Sequence, residues 1–250
     1  MWGQGRGKKK DVAGRGVVVD MAKTAAGAAI LPVGSVRPAL RVGALTTPPP
    51  IPWGYRKLDP AKTARIAYEN WYKKYCCYAV ASAILDQLRD EIGGPYNNLP
   101  VEAFAFGQGG MAGWGAMCGT LTGAGLAMSF VAGKEGEEMV NDLIVWYGNA
   151  ELPVFRPATP KAIICQVNAA GSPLCHISVG KWMKKEEVGM ESAERKERCA
   201  RVAADVAFQA VILLNKWADG DYEMRQDSRS QAHGIAGRRG CMQCDGSGVS

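Results

Sequence analysis

The sequence predicts a mainly α fold: a helical domain with a small irregular or β segment, followed by a flexible C-terminal tail. Three observations predict it. Apolar residues recur at helical spacing over residues 59–93, they do so again over residues 192–217, and Gly115, Gly119 and Gly123 repeat every four residues inside an uncharged stretch. With 250 residues and 47% hydrophobic side chains, the chain can bury a core of this kind, which excludes a disordered or collagen-like protein.

Residues 1–57 read as an export leader and a Pro-rich linker. A basic Gly/Lys/Arg opening leads into the small apolar run Ala25-Ala26-Gly27-Ala28-Ala29-Ile30-Leu31, too short to span a bilayer, and the segment exits through Pro48-Pro49-Pro50-Ile51-Pro52. The stretch beginning Met21-Ala22-Lys23 resembles the part of a twin-arginine leader that follows the arginine pair, although only Arg15-Gly16 stands upstream. A periplasmic address follows from this signal-peptide reading; a basic arm on a cytoplasmic protein is the alternative.

The helical, cysteine-rich domain is expected over residues 58–218. Asp59-Pro60-Ala61 has the form of an N-cap followed by Pro at the first helical position, and Gly93-Gly94-Pro95 stops the run. Residues 101–106 read as a further helical segment. Residues 103–133 carry no formal charge, which raises a membrane span, but nine glycines among these 31 residues argue instead for a buried, close-packed helix. Gly115, Gly119 and Gly123 on one face of it would let another backbone approach. Gly107-Gln108-Gly109-Gly110-Met111-Ala112 matches the dinucleotide fingerprint G-x-G-x-x-A, yet no strand precedes it and no carboxylate follows before Glu135. Residues 134–149 form an amphipathic helix with Glu135, Glu137 and Glu138 at the end the helix dipole favours. Pro153, Pro157 and Pro160 mark an extended linker to residues 162–167, a candidate strand. Lys184-Lys185-Glu186-Glu187 reads as a solvated turn, and the last helix turns Val202, Val206, Val211, Leu213 and Leu214 inward. Residues 219–250 form the tail.

The net charge of +6, from 30 Lys and Arg against 24 Asp and Glu, belongs to the leader. Residues 1–60 hold ten basic and three acidic groups, which leaves 20 basic and 21 acidic groups in the other 190 residues. A near-neutral body argues against a nucleic-acid partner.

Chemistry concentrates in eight cysteines, six in the body and two in the tail. A disulfide framework would need an oxidising compartment, and a helical domain of this size does not need such staples. Soft metal ligation fits better: Cys76, Cys118 and Cys199 fall in predicted helices, Cys175 follows the Gly171-Ser172-Pro173 turn, and four thiolates suit an iron–sulfur cluster or a zinc ion. The bland reading, four small buried hydrophobes, stands beside it, since no C-x-x-C pair lies in the body. The aromatic set Tyr68, Trp71, Tyr72 and Tyr75 is spaced for core or dimer surface. His176 is read either as a core histidine or as a hydrogen-bonding neighbour of the centre. No Ser/His/Asp or paired-carboxylate constellation anchors hydrolase chemistry.

Cys76-Cys77-Tyr78-Ala79-Val80, Gly113-Trp114-Gly115-Ala116-Met117-Cys118-Gly119-Thr120-Leu121-Thr122-Gly123-Ala124, Cys175-His176-Ile177-Ser178-Val179 and the segment ending in Cys199 together resemble the successive motifs of the redox family named for its C-GCA-x-x-G-C-C pattern. Within that family the likeness is to the split-Soret cytochromes c. The resemblance implies an iron–sulfur site on Cys76, Cys118, Cys175 and Cys199, with two irons favoured over four, and puts Cys77 where the family usually has a small residue. It further implies a homodimeric electron carrier of the periplasm with a redox partner protein, and no enzyme activity of its own.

Split-Soret members attach haem c through C-x-x-C-H. Here Cys241-Met242-Gln243-Cys244 is followed by Asp245, so the motif histidine is missing, and His233 and His176 are the chain's two histidines available as axial ligands. Covalent haem on Cys241 and Cys244, a redox-active dithiol, a zinc clip with His233 and a vestigial site all remain open readings. The function expected is therefore electron transfer through a cysteine-held cluster. A zinc- or thiol-stabilised structural protein is the alternative, and a thiol-dependent oxidoreductase using Cys241 and Cys244 is a third reading.

Overall fold

Asp59 opens the first helix by the capping that its position predicts: its Oδ1 accepts from the N–H groups of Ala61 and Lys62 at 2.8 and 3.1 Å, and Pro60 occupies the first turn, where a missing N–H costs nothing. In the computed structural model, which describes residues 49–223, this helix is α1 (Pro60–Ile92). Two 3-10 segments follow, Gly94–Asn98 and Val101–Gly107, and then a glycine-rich loop over 108–118. Next come α2 (Gly119–Ala132), α3 (Lys134–Asn149), β1 (Glu151–Leu152), β2 (Asn168–Ala169), α4 (Cys175–Glu186) and α5 (Ala193–Asp219). The strands pair antiparallel, Glu151 opposite Ala169 and Leu152 opposite Asn168. The fold is thus mainly α with a minimal β segment, as the sequence predicts. Among the described residues no helix is long and apolar enough to cross a membrane.

The core is built on α1 packed against α5, with α2 against α1. Small side chains make that approach close: Ala79, Ala83, Ala200, Ala203, Ala204 and Ala207 are all fully buried, and Ile84, Leu85, Leu88, Val206, Val211 and Leu214 fill the space between. Each large apolar side chain buried in this way contributes roughly 1.5–3 kcal/mol. The α2 contact is tighter still. A Cβ at Gly119 would stand 2.2 Å from the Gly107 carbonyl oxygen, and one at Gly123 would stand 2.3 Å from the Cys77 carbonyl oxygen. Glu197, buried on α5, ties three parts of the chain together: it accepts from Tyr68 and Tyr72 of α1 at 2.8 and 2.6 Å, from the Lys161 N–H at 3.1 Å and from Arg201 Nε at 2.7 Å. Burial works against its charge, but these donors outweigh it and hold its pKa below the ordinary carboxylate value.

Several expectations are corrected. Gly115 is not on a helix: α2 begins at Gly119, and Gly115 lies in the loop with φ +77°, a conformation glycine adopts without strain. Cys118 accordingly caps α2 from outside. Residues 162–167 form no strand, and the ladder lies at Asn168–Ala169. The cause is that the N–H groups of Cys165 and Gln166 bond the Glu186 carboxylate at 2.9 and 2.7 Å and so do not enter a ladder. Lys184, Lys185 and Glu186 are the last turn of a helix, α4, whose 12 residues are too few to stand out by periodicity. The chain also joins the core before residue 58. Trp53 is buried, stacked on Phe130 with ring centroids 4.6 Å apart, and its backbone N–H donates to the Phe130 carbonyl at 2.8 Å.

Gly123→Ala should destabilise the protein by roughly 1–3 kcal/mol, because backbone cannot move aside as a side chain can. Gly125→Ala, where the new methyl would meet only Val140 methyls at 3.4 and 3.8 Å, should be neutral or stabilise by up to about 1 kcal/mol through helix propensity. Urea midpoints of the two variants check this, and equal shifts would contradict the close-contact account.

Candidate metal centre

Four elements carry the cysteines of interest, and each is fixed by a local cause. Cys76 lies just past a break in α1, where Lys74 and Tyr75 leave helical geometry and Tyr75 takes φ +63°. A positive φ costs an aromatic residue of order 1–3 kcal/mol, which the surrounding packing must supply. Trp71, one turn earlier and buried, donates its indole N–H to Cys76 Sγ at 3.3 Å. Cys118 caps α2, and its Sγ lies 3.1 Å from Thr120 Oγ1. Cys175 is the first residue of α4. Cys199 faces inward from the second turn of α5, a helix capped by Ser192 Oγ, which accepts from the Arg195 N–H at 3.1 Å.

The Cys118 and Cys175 segments are laced to each other through backbone. Cys118 N–H donates to the Pro173 carbonyl at 2.9 Å, Cys175 N–H to that of Ala116 at 2.7 Å, and His176 N–H to that of Gly115 at 3.1 Å. Met117 and Leu174 complete an isolated antiparallel bridge between them. The glycine-rich loop makes this lacing feasible. It folds back on itself through bonds from Gly115 N–H to the Gly109 carbonyl and from Ala116 N–H to the Gly110 carbonyl, at 2.9 and 3.0 Å. A Cβ at Gly110 would stand 2.5 Å from Ala116 N, so this turn admits no side chain there.

Cys76, Cys175 and Cys199 line one cavity of about 570 Å³, with Trp71, Tyr75 and the Gly113 and Gly115 backbone among its walls. Cys118 is buried beside Cys76 and Cys175 and is not part of the lining. Burial, and then the neighbouring thiols, pushes the Cys76 thiol well above the ordinary cysteine value; the same causes push Cys175 up to about 12. Cys118 and Cys175 stand at helix N-termini, where a negative charge is favoured. Three soft donors from three elements therefore line one cavity, and a fourth, Cys118, is buried beside them. Among the described residues, no three His, Cys, Asp or Glu side chains converge closely enough to hold a single metal ion. All six cysteines of the described residues are free thiols.

His176 is exposed at the cavity mouth, so it is not a core histidine. Cys77, the next residue of α1, is fully buried against Gly107 and Gly123, which accounts for it as packing. Cys165 is exposed and distant in role. Cys241, Cys244, His233 and Asp245, like the leader, lie outside the described residues. Of the aromatic set, Tyr68 and Trp71 are buried, whereas Tyr72 and Tyr75 are partly exposed.

Two groups at the centre escape a reading of the sequence centred on cysteine. One is the Trp71 indole. The other is Arg198, buried beside Cys199, whose Nη2 donates to Ser178 Oγ at 2.7 Å while Tyr147 OH donates to the same oxygen at 2.7 Å. Burial disfavours the Arg198 charge, yet Tyr147, Cys199 and Cys118 hold its pKa above the usual arginine value. The signal for Arg198 was present: it precedes Val202 by four residues, on the stripe that the apolar pattern turns inward.

Comparison with known proteins gives concordant matches. The family described as "Putative redox-active protein (C_GCAxxG_C_C)" matches residues 74–211. The split-Soret cytochrome c of Desulfovibrio desulfuricans (strain ATCC 27774 / DSM 6949 / MB) is 36% identical over 186 residues, covering 72% of this chain and 67% of that protein. A solved structure of the split-Soret cytochrome c from Desulfovibrio desulfuricans ATCC 27774, described as having a novel iron centre, superposes with a TM-score of 0.68 at 32% identity, over 79% of this chain and 83% of that one.

Among the six cysteines of the described residues, alkylation of the metal-free protein followed by mass mapping should modify Cys165 first and Cys175 second, with Cys77 reacting only on unfolding. Because the thiolate is the reactive form and Cys175 titrates near 12, its rate should climb by close to tenfold per pH unit from 7 to 9. A plateau near pH 8 would contradict this environment.

Proposed function

The chain belongs to the C_GCAxxG_C_C redox-active family, and from that premise we propose that it is an electron carrier holding an iron–sulfur cluster on Cys76, Cys118, Cys175 and Cys199. The observation that carries the proposal is the arrangement of these four thiols, drawn from four elements, with Cys76, Cys175 and Cys199 lining one cavity and Cys118 buried beside them. Thiolates are the donors that iron–sulfur clusters take, and four is the usual number. A cluster takes donors spread over a wider space, whereas zinc would need all four at a single point. When bound, such a cluster supplies a delocalised one-electron couple, with two irons our assignment in preference to four.

The chain's own residues do the rest. Metal loading requires the thiols to lose their protons, which burial opposes, so the helix N-termini at Cys118 and Cys175 and the Trp71 N–H on Cys76 Sγ favour the charged form that binds. Val179, Met183 and Trp71 keep the cavity walls apolar, and Tyr75, 49% exposed, stands between cavity and solvent where a redox partner would approach. Likeness to the split-Soret cytochrome c supports an electron carrier in preference to an enzyme. As with the leader, a periplasmic address, a homodimer and haem c on Cys241 and Cys244 with His233 or His176 belong to this proposal through likeness to the split-Soret protein.

Anaerobically purified protein should contain iron and acid-labile sulfide in equal amounts and show broad sulfur-to-iron absorption that bleaches on reduction. Cys118→Ser, Cys175→Ser and Cys199→Ser should each lower bound iron by more than tenfold, since even second-shell changes can cost that much, whereas Cys165→Ser and Cys77→Ala should retain it. A colourless protein with stoichiometric zinc, or iron retained through all the ligand substitutions, would overturn the proposal.

A further inference from the structure

Arg198 is 1% exposed and carries a charge it cannot shed, since guanidinium does not deprotonate in proteins. Its Nη2 bonds a neutral hydroxyl, Ser178 Oγ, and its buried Nε has no hydrogen-bond partner. Among the described residues it forms no ion pair with a carboxylate. The other buried ionic groups of α5 are satisfied: Arg201 is paired with Glu197 at 2.7 Å, and Asp205 accepts from the Val154 and Phe155 N–H groups at 2.9 and 2.8 Å. A buried charge with no counter-ion in direct contact is disfavoured, so this position favours an anion close by. The acidic groups its charge feels include Tyr147, the thiols of Cys199, Cys118 and Cys175, and the Asp205 carboxylate, with which it forms no ion pair.

We infer that Arg198 is the buried counter-charge of the four-thiolate centre and sets its reduction potential. This rests on the electron-carrier reading. A four-thiolate cluster is anionic and gains a further negative charge when an external electron donor reduces it. A fixed positive charge beside two of its ligands stabilises the reduced form more than the oxidised form. Arg198 is thus a positioning residue for charge and touches no electron-transfer partner. Ser178 and Tyr147 hold its head in place.

The test is potentiometric titration of the cluster-loaded full chain, followed by absorption, in wild type, Arg198→Met, Arg198→Lys and Ser178→Ala. Loss of the charge in Arg198→Met should shift the oxidised-to-reduced ratio at fixed ambient potential on the order of tenfold toward oxidised, or about 59 mV for one electron. Arg198→Lys and Ser178→Ala, which keep a positive charge, should stay within about threefold of wild type. Identical potentials in wild type and a fully loaded Arg198→Met would overturn the inference, as would a Ser178→Ala shift as large as that of Arg198→Met. Should Arg198→Met not load, a loaded Arg198→Lys at the wild-type potential supports a role for charge, and an Arg198→Lys that also fails to load overturns it. Zinc without sulfide in the wild type would refute the electron-carrier reading by itself. The counter-charge is then read from zinc retention against a chelator, more than tenfold weaker in Arg198→Met and kept in Arg198→Lys if the inference holds, and equal in all three if it does not.

Discussion

The contact between the first turn of α2 and the backbone of Cys76 and Cys77 is the constraint on which the rest of the centre depends. Gly119 and Gly123 bring two main chains to a separation that no side chain would permit. Because α2 starts there, its cap, Cys118, is delivered beside Cys76. Because Cys118 is bonded through its N–H to Pro173, and Ala116 through its carbonyl to Cys175, the third thiol follows the second. Only Cys199 comes from elsewhere, and it arrives on α5, the helix that packs most extensively on α1. Small residues therefore do for this centre what a sequence-local C-x-x-C pair does in other thiolate sites: they fix the distances between donors far apart in the chain.

The electrostatics of the site follow from that packing. Close approach removes water, and removal of water makes each thiol harder to ionise, the more so because the others are near. The fold answers with groups that favour negative charge at the same place: two helix N-termini, an indole N–H and a buried guanidinium. Without an anion at the centre, the last of these is an expense with no return. Thiols that together carry negative charge, as proposed, would use all of these groups at once.

Helix existence was legible where long apolar periodicity and a cap coincided, as at Asp59-Pro60 and Ser192, and the inward set Val202, Val206, Val211, Leu213 and Leu214 is buried as that pattern requires. The break at Lys74 and Tyr75 was not legible, since neither residue is a helix breaker. Gly115 was legible as a residue needing closeness but was assigned to the wrong element, because a four-residue glycine spacing fits a helix face and a folded loop equally well. Short α4 was hidden by its length. At the candidate centre, the resemblance picked out four cysteines, of which Cys76, Cys175 and Cys199 line one cavity and Cys118 is buried beside them, whereas their spacing alone could not separate them from Cys77, which packs against Gly107 and Gly123. Arg198 was hidden for a different reason: a charged residue on an inward stripe has no meaning until the anion it faces is known.

The central claim is that four thiolates from four elements hold iron as a cluster. X-ray absorption at the iron edge of the anaerobically purified full chain tests it most directly. The account predicts a first shell made entirely of sulfur together with a short iron–iron distance. A first shell dominated by nitrogen or oxygen, or iron with no iron neighbour, would contradict it.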